Sequence, residues 1–314
     1  MKEKKFPMKW LKALDWFLRE KRIFYKEEEL LSPHTTIKIG GQALRTVYPK
    51  EIKEFISLLD YLNKEEIPFY VIGGGSNLLV NDKGYQGVVV FTKFMKGIEI
   101  FKENEVLRLK ILAGTKINEI IRLGYERGFG GFEFLAGVPA TLGGAIRMNA
   151  GAFGKSTSLL VKKVTLYQEG EVKEIEPKEN DWTYRAFKIE GIILSAELEL
   201  IKAEKEEIRK NLQQVWEKRR ATQPISEKTF GSVFKNPPCC YAGALIERVG
   251  LKGYQIGKVK ISEKHANFII NMNGAKTEEV LSLMRLARKK VYENFNILLE
   301  PEVKFLGIED GCLD

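Results

Sequence analysis

The chain has 314 residues, 44% of them hydrophobic and 30% charged, with a net charge of +9, a composition ordinary for a soluble globular protein of about two domains. No apolar run reaches the ~18–20 residues of a membrane-spanning helix. Three cysteines (Cys239, Cys240, Cys312) and two histidines (His34, His265) supply neither a disulfide framework nor a metal-ligand spacing and suit the cytoplasm.

The N-terminus, MKEKKFPMKWLKALDWFLREKR (1–22), alternates charge with aromatics and lacks the apolar core of a signal peptide. It reads as an amphipathic helix, and residues 1–31 are taken as an N-terminal helical region. SPHTTIKIGGQALRTVYP (32–49) has turn residues and then a β-like run. EIKEFISLLDYLNKEE (51–66) sets Ile52, Phe55, Ile56, Leu59 and Leu62 on one helical face. PFYVI (68–72) predicts a strand running into Gly73-Gly74-Gly75; GVVVF (87–91) and EVLRLKILAG (105–114) predict two more. KINEIIRLGYERG (116–128) predicts a helix ending at Gly128.

A glycine-rich segment (131–154) follows, then strand-like VKKVTLYQ (161–168), EVKEIEP (171–177) and IILSAELELI (192–201). The helix KEEIRKNLQQVWEKRR (205–220) interleaves its bases with acids, which describes a solvated face better than a nucleic-acid surface. It marks a boundary near residue 203. Beyond lie a loop bearing Gly and Pro, a strand HANFIINM (265–272), a helix TEEVLSLMRLARKKVYENF (277–295) and a closing strand ILLEPEVKFLG (297–307). Strands and helices mix irregularly, which predicts an α+β fold.

VIGGGSNLLV (71–80) is not a Rossmann fingerprint: the third glycine position is Leu78, and the following residues read as strand and turn. GAFGKST (151–157) ends like a P-loop, but Asn149 stands where its first glycine is required. Consecutive glycines still let backbone N–H groups converge on an anion, and Ser76 and Asn77 add side-chain donors. The alternative is a simple tight turn. GVPATLGGAIRMNAGAFG (137–154), small-residued and about 65 residues further on, suggests one extended dinucleotide lying across both segments.

The ordered set TIKIGGQA (36–43), VIGGGSNLLV, GVPATLGGAIRMNAGAFG, YR (184–185), FGSVFKNP (230–237), GLKG (250–253), HANFIIN (265–271) and LEPEV (299–303) resembles bacterial UDP-N-acetylenolpyruvoylglucosamine reductases, the flavoenzymes that complete UDP-N-acetylmuramate in peptidoglycan synthesis. The match runs from about residue 32 to 307. It implies an FAD-binding domain of the vanillyl-alcohol-oxidase type (32–202), a smaller α+β substrate domain (203–314) whose final strand packs back on the N-terminal part, non-covalent FAD, and NADPH and a UDP-sugar as substrates. A cytoplasmic monomer without metal or nucleic-acid partner is expected. A covalent flavin oxidase is disfavoured, because neither His nor Cys occurs between positions 35 and 238.

The resemblance implies FAD contacts at Gly73, Gly74, Gly75, Ser76 and Asn77, then at Gly137, Val138, Pro139, Thr141, Gly143, Gly144, Ala145 and Asn149. Arg147 is assigned no role. Arg185 matches the arginine that faces the developing enolate, Ser232 the proton donor and Glu302 the catalytic glutamate. Tyr184, Arg220, Gln223, Lys235, Asn236 and His265 fall at positions implied to contact the UDP-sugar. Only a strand and the 205–220 helix fill the 37 positions from Arg185 to Thr222. That implies the branch lacking a substrate-closing tyrosine loop.

Overall fold

The computed structural model describes residues 9–313. The first helix is Lys9–Glu20. Its end is closed by Ile23 N–H on the Leu18 carbonyl at 2.9 Å, with Arg22 left-handed at φ 55°, the bond pattern of a Schellman stop. Tyr25–Leu30 is a strand paired antiparallel with Gln42–Val47, which corrects the expected helical region through residue 31. Residues 1–8 of that expectation lie outside the described residues.

The strands Tyr25–Leu30, Gln42–Val47, Tyr85–Phe91 and Phe69–Ile72 form one sheet in that order, its last two pairings parallel. One face is covered by Lys9–Glu20 and Ile52–Lys64 through Leu14, Leu18, Phe55 and Leu59 against Val88 and Val90. The glycine run leaves this sheet at Ile72 and re-enters regular structure at Leu78–Val80.

A second, antiparallel sheet is built on the long strand Ile192–Lys202, between Val161–Gln168 and Val106–Leu112, with Glu171–Ile175 and Ile98–Glu103 outermost. Its core holds Leu109, Ile111, Phe132, Leu142, Ile146 and Leu198. Thr141 caps the short helix Leu142–Arg147 inside the second glycine segment. The helix Lys205–Thr222 lies against this unit: Arg219 donates to the Phe134 carbonyl at 3.0 Å, and Trp216 lies against Gly137.

The last unit stacks helices Ala242–Arg248 and Thr277–Phe295 on a three-stranded sheet ending in Ile269–Asn271. Its core takes in Ile37, Ile39 and Leu79 from the N-terminal part. Of the predicted closing strand only Lys304–Leu306 is regular, and it pairs parallel with Leu78–Val80. The HANFIINM strand is likewise shorter, Ile269–Asn271, because His265–Phe268 forms a turn closed by Phe268 N–H on the His265 carbonyl at 3.0 Å.

Candidate functional site

The two glycine segments touch. A Cβ on Gly73 would sit 2.3 Å from Thr141 Oγ1, and one on Gly74 would sit 2.5 Å from the Pro139 carbonyl. Gly75, left-handed at φ 62°, rests on the His34 carbonyl, 2.0 Å from where its Cβ would be. All three glycines are therefore demanded by close backbone packing. The N–H groups of Gly73, Gly74, Gly75 and Ser76 find no acceptor among the described residues. Gly73 and Ser76 are half-buried and Gly75 is buried, where amides normally have partners, and successive free donors in such a turn can hold an anion. This cradle fits a pyrophosphate.

The second segment divides by burial. Gly137, Val138, Pro139 and Gly144 keep exposed surface, whereas Thr141 and Ala145 are buried. Gly143 packs on Ala113, at 2.9 Å from its would-be Cβ. Asn149 uses its amide within the protein: Nδ2 donates to the Thr183 carbonyl at 3.0 Å and Oδ1 accepts from Ser158 N–H at 3.2 Å. Asn77 does likewise, donating to the Glu302 carbonyl at 3.0 Å. These two side chains hold neighbouring segments in place.

Glu302 is where the candidate segments meet. Its carbonyl is held by Asn77, and its N–H donates to the Val233 carbonyl at 2.8 Å, beside Ser232. Its carboxylate lies 3.0 Å from Arg185 Nε. Phe234 bridges Pro301, and Lys235 N–H reaches the Glu300 carbonyl at 2.9 Å, so 232–235 and 300–302 run side by side. Burial pushes the Glu302 carboxyl above its usual range; the Arg185 charge opposes this without cancelling it.

Arg185 is the second residue of the two-residue turn between Trp182–Thr183 and Ala186–Phe187. Its φ of 61° is a conformation that a turn normally gives to Gly or Asn, at a cost of about 1–2 kcal/mol for other residues. Nη1 donates to the Gly151 carbonyl at 2.9 Å. The Nε approach to Glu302 is close but poorly angled, so Nε is a buried donor without a hydrogen bond. That unspent donor beside a carboxyl of elevated pKa suits an incoming anionic group. Tyr184 lies under the guanidinium at 5.2 Å, and its hydroxyl accepts from Asn236 N–H at 3.5 Å.

The remaining expected substrate contacts scatter. Asn236 Oδ1 accepts from Ala242 N–H at the start of a helix that sequence reading took for loop. Lys235 pairs with Glu300 at 3.2 Å. His265 packs on Gly243, where Nδ1 accepts from Asn267 N–H and burial lowers its pKa. Arg220 is exposed, whereas its neighbour Arg219 is buried, donating to Gln223 Oε1 at 3.0 Å and lying 5.5 Å from the Phe153 ring. Arg219 was missed although the phase was legible: Ile208 and Arg219, eleven residues apart, share one helical face.

Comparison with known proteins places both parts of the chain in known families. A family model described as an FAD binding domain matches residues 43–175, and the C-terminal domain of UDP-N-acetylenolpyruvoylglucosamine reductase matches 223–306. The UDP-N-acetylenolpyruvoylglucosamine reductase of Bacillus pumilus is 38% identical over 90% of this chain and 94% of its own. That of Caldanaerobacter subterraneus subsp. tengcongensis is 39% identical over 92% and 95%. The crystal structure of the Thermus caldophilus reductase superimposes with a TM-score of 0.77 at 31% identity, covering 91% of this chain and 99% of that one.

Proposed function

The chain belongs to the UDP-N-acetylenolpyruvoylglucosamine reductase family, and from that premise we propose that it reduces UDP-N-acetylglucosamine enolpyruvate to UDP-N-acetylmuramate for peptidoglycan synthesis, with FAD and NADPH. The observation that carries the reading is the junction at Glu302, where the glycine turn, the Ser232 segment and Arg185 meet.

FAD, when bound, would supply the hydride chemistry that links NADPH to the methylene carbon C3 of the enolpyruvyl group. The amides of Gly73–Ser76 would hold its pyrophosphate, and Gly137, Val138, Pro139 and Gly144 would line the adjoining floor. Hydride arrival at C3 leaves negative charge at C2 and on the carboxylate. Arg185 faces that charge and offers its unbonded Nε–H. Glu302 fixes the guanidinium and closes the far side of the site. Ser232 Oγ gives its proton to C2 and regains one from water. Tyr184, bridging to Asn236, and Lys235 beside it are suited to the UDP-sugar.

Among the described residues no helix is long and apolar enough to cross a membrane, in keeping with a cytoplasmic enzyme. The strand Ile192–Lys202 and the helix Lys205–Thr222 fill the chain after Arg185, which supports the branch without a closing tyrosine loop.

The test is optical. The purified protein shows a flavin band that NADPH bleaches and the enolpyruvyl substrate restores. Ser232→Ala slows the restoring step by roughly 10²–10⁴-fold and leaves bleaching intact. Normal restoration in that variant removes Ser232 from the proton-donor role.

A further inference from the structure

Arg147 ends the helix Leu142–Arg147 and makes no hydrogen bond to Arg185, Ser232 or Glu302. Its guanidinium instead gathers three backbone carbonyls from one stretch of chain. Nη1 donates to Phe187 O at 3.2 Å and to Ile189 O at 2.7 Å, and Nη2 donates to Gly191 O. The same group lies 5.7 Å from the Phe187 ring. Three carbonyl dipoles face the half-buried charge, and the Glu190 carboxylate acts on it electrostatically from within the same arm.

Those carbonyls belong to the exit arm of the turn that carries Arg185. The hairpin has only two residue pairs, Trp182 with Phe187 and Thr183 with Ala186, too short to be stable by itself. Its turn residue also stands in a disfavoured conformation, which persists only where the surroundings over-determine it. Besides the Trp182–Phe187 ring contact and Lys188 N–H on the Asp181 carbonyl at 2.8 Å, two side chains of a single segment hold it: Asn149 the entry arm at Thr183 O, and Arg147 the exit arm. Gly151 of that segment takes Arg185 Nη1.

We propose that Arg147 is a positioning residue that clamps the 187–191 arm so that the Tyr184–Arg185 turn presents Arg185 to Glu302 and to the substrate carboxylate. The inference rests on the role assigned to Arg185 above. A lysine cannot replace it: an ammonium is a point donor and cannot span three carbonyls as a planar fork does.

Arg147→Lys is the main variant, since it keeps the charge and the buried stem; Arg147→Ala accompanies it. In single-turnover measurements the expected result for Arg147→Lys is flavin reduction by NADPH within twofold of wild type, and reoxidation by the enolpyruvyl substrate slowed at least tenfold. In an Arg185→Ala background the same change slows reoxidation less than twofold further, because the residue it acts through is gone. In FAD-free protein, amide exchange in 182–191 speeds up while exchange in 106–112 does not change. Reoxidation of Arg147→Lys at the wild-type rate overturns the proposal. So does an equal loss with and without Arg185, or unchanged exchange in 182–191. Normal reoxidation in Arg185→Ala alone would instead remove the catalytic reading of Arg185, leaving the exchange result to decide whether Arg147 holds the turn.

Discussion

Two glutamates in this chain are almost equally covered, with side chains 12% and 13% exposed, and they behave in opposite ways. Burial raises the pKa of both. At Glu29 four donors overcome it: Lys26, Thr46 and Tyr48, and His34 Nε2 at 3.1 Å, so the carboxyl is held at about 2. At Glu302, Arg185 approaches at a poor angle, and the carboxyl stays above its ordinary value. A fully satisfied carboxylate is a bracket. One surrounded by few donors, beside a buried N–H with no acceptor, has bonding capacity left for a ligand and is a candidate reactive group. Surface exposure alone does not separate the two cases: Glu302 lies much deeper among protein atoms, so burial acts on it more strongly, and fewer donors face it.

The contrast is broken most sharply at Glu302. Glu302→Gln lowers turnover by roughly 10²–10³-fold in steady-state assays while NADPH still bleaches the flavin; equal loss in both half-reactions would deny Glu302 its special place. Gly75→Ala comes next. Its Cβ meets the His34 carbonyl from a left-handed backbone, so chemical denaturation is expected to register a loss of about 2–3 kcal/mol, with weakened FAD retention on gel filtration. Glu29→Gln has the smallest effect, about 1–2 kcal/mol of stability at neutral pH with turnover unchanged.

Acid titration sharpens the same point. The depressed pKa of Glu29 contributes stability above the ordinary carboxylate value of 4.5, and that contribution disappears as the pH falls from there toward about 2. The gap between wild type and Glu29→Gln therefore narrows across that window. Glu302 has the opposite sign: its contribution is present below 4.5 and is lost as the pH rises through its elevated value. A gap that widens on acidification would contradict the assignment at Glu29.

Much of this site was legible in the chain. Helical periodicity gave Ile52–Lys64, Ile117–Arg127 and Thr277–Phe295 to within a few residues, and ordered motifs pointed to Arg185 and Glu302 before any geometry. What periodicity does not encode is how a polar side chain uses its hydrogen bonds. Asn77 and Asn149 read as cofactor donors, but both bind protein carbonyls. Asn236 read as a substrate ligand, yet it accepts from the first turn of Ala242–Arg248, a helix too short to announce itself. The strand Tyr25–Leu30, sequence YKEEEL, was hidden because its glutamates suggest a charged helix, whereas the partner strand supplies Arg45 and Thr46 opposite Glu27 and Lys26.

The parallel pairing of Lys304–Leu306 with Leu78–Val80 has a consequence for biosynthesis. Asn77 and the Glu302 carbonyl are 225 residues apart in sequence. A ribosome has released the glycine turn long before the residue that completes the junction leaves its tunnel, and closing so long a loop comes late in folding. A nascent or truncated chain ending before residue 299 retains the whole cradle but lacks the acid and the strand that anchors it. The glycine turn is thus synthesised long before the segment that anchors it through Asn77 and Leu78–Val80.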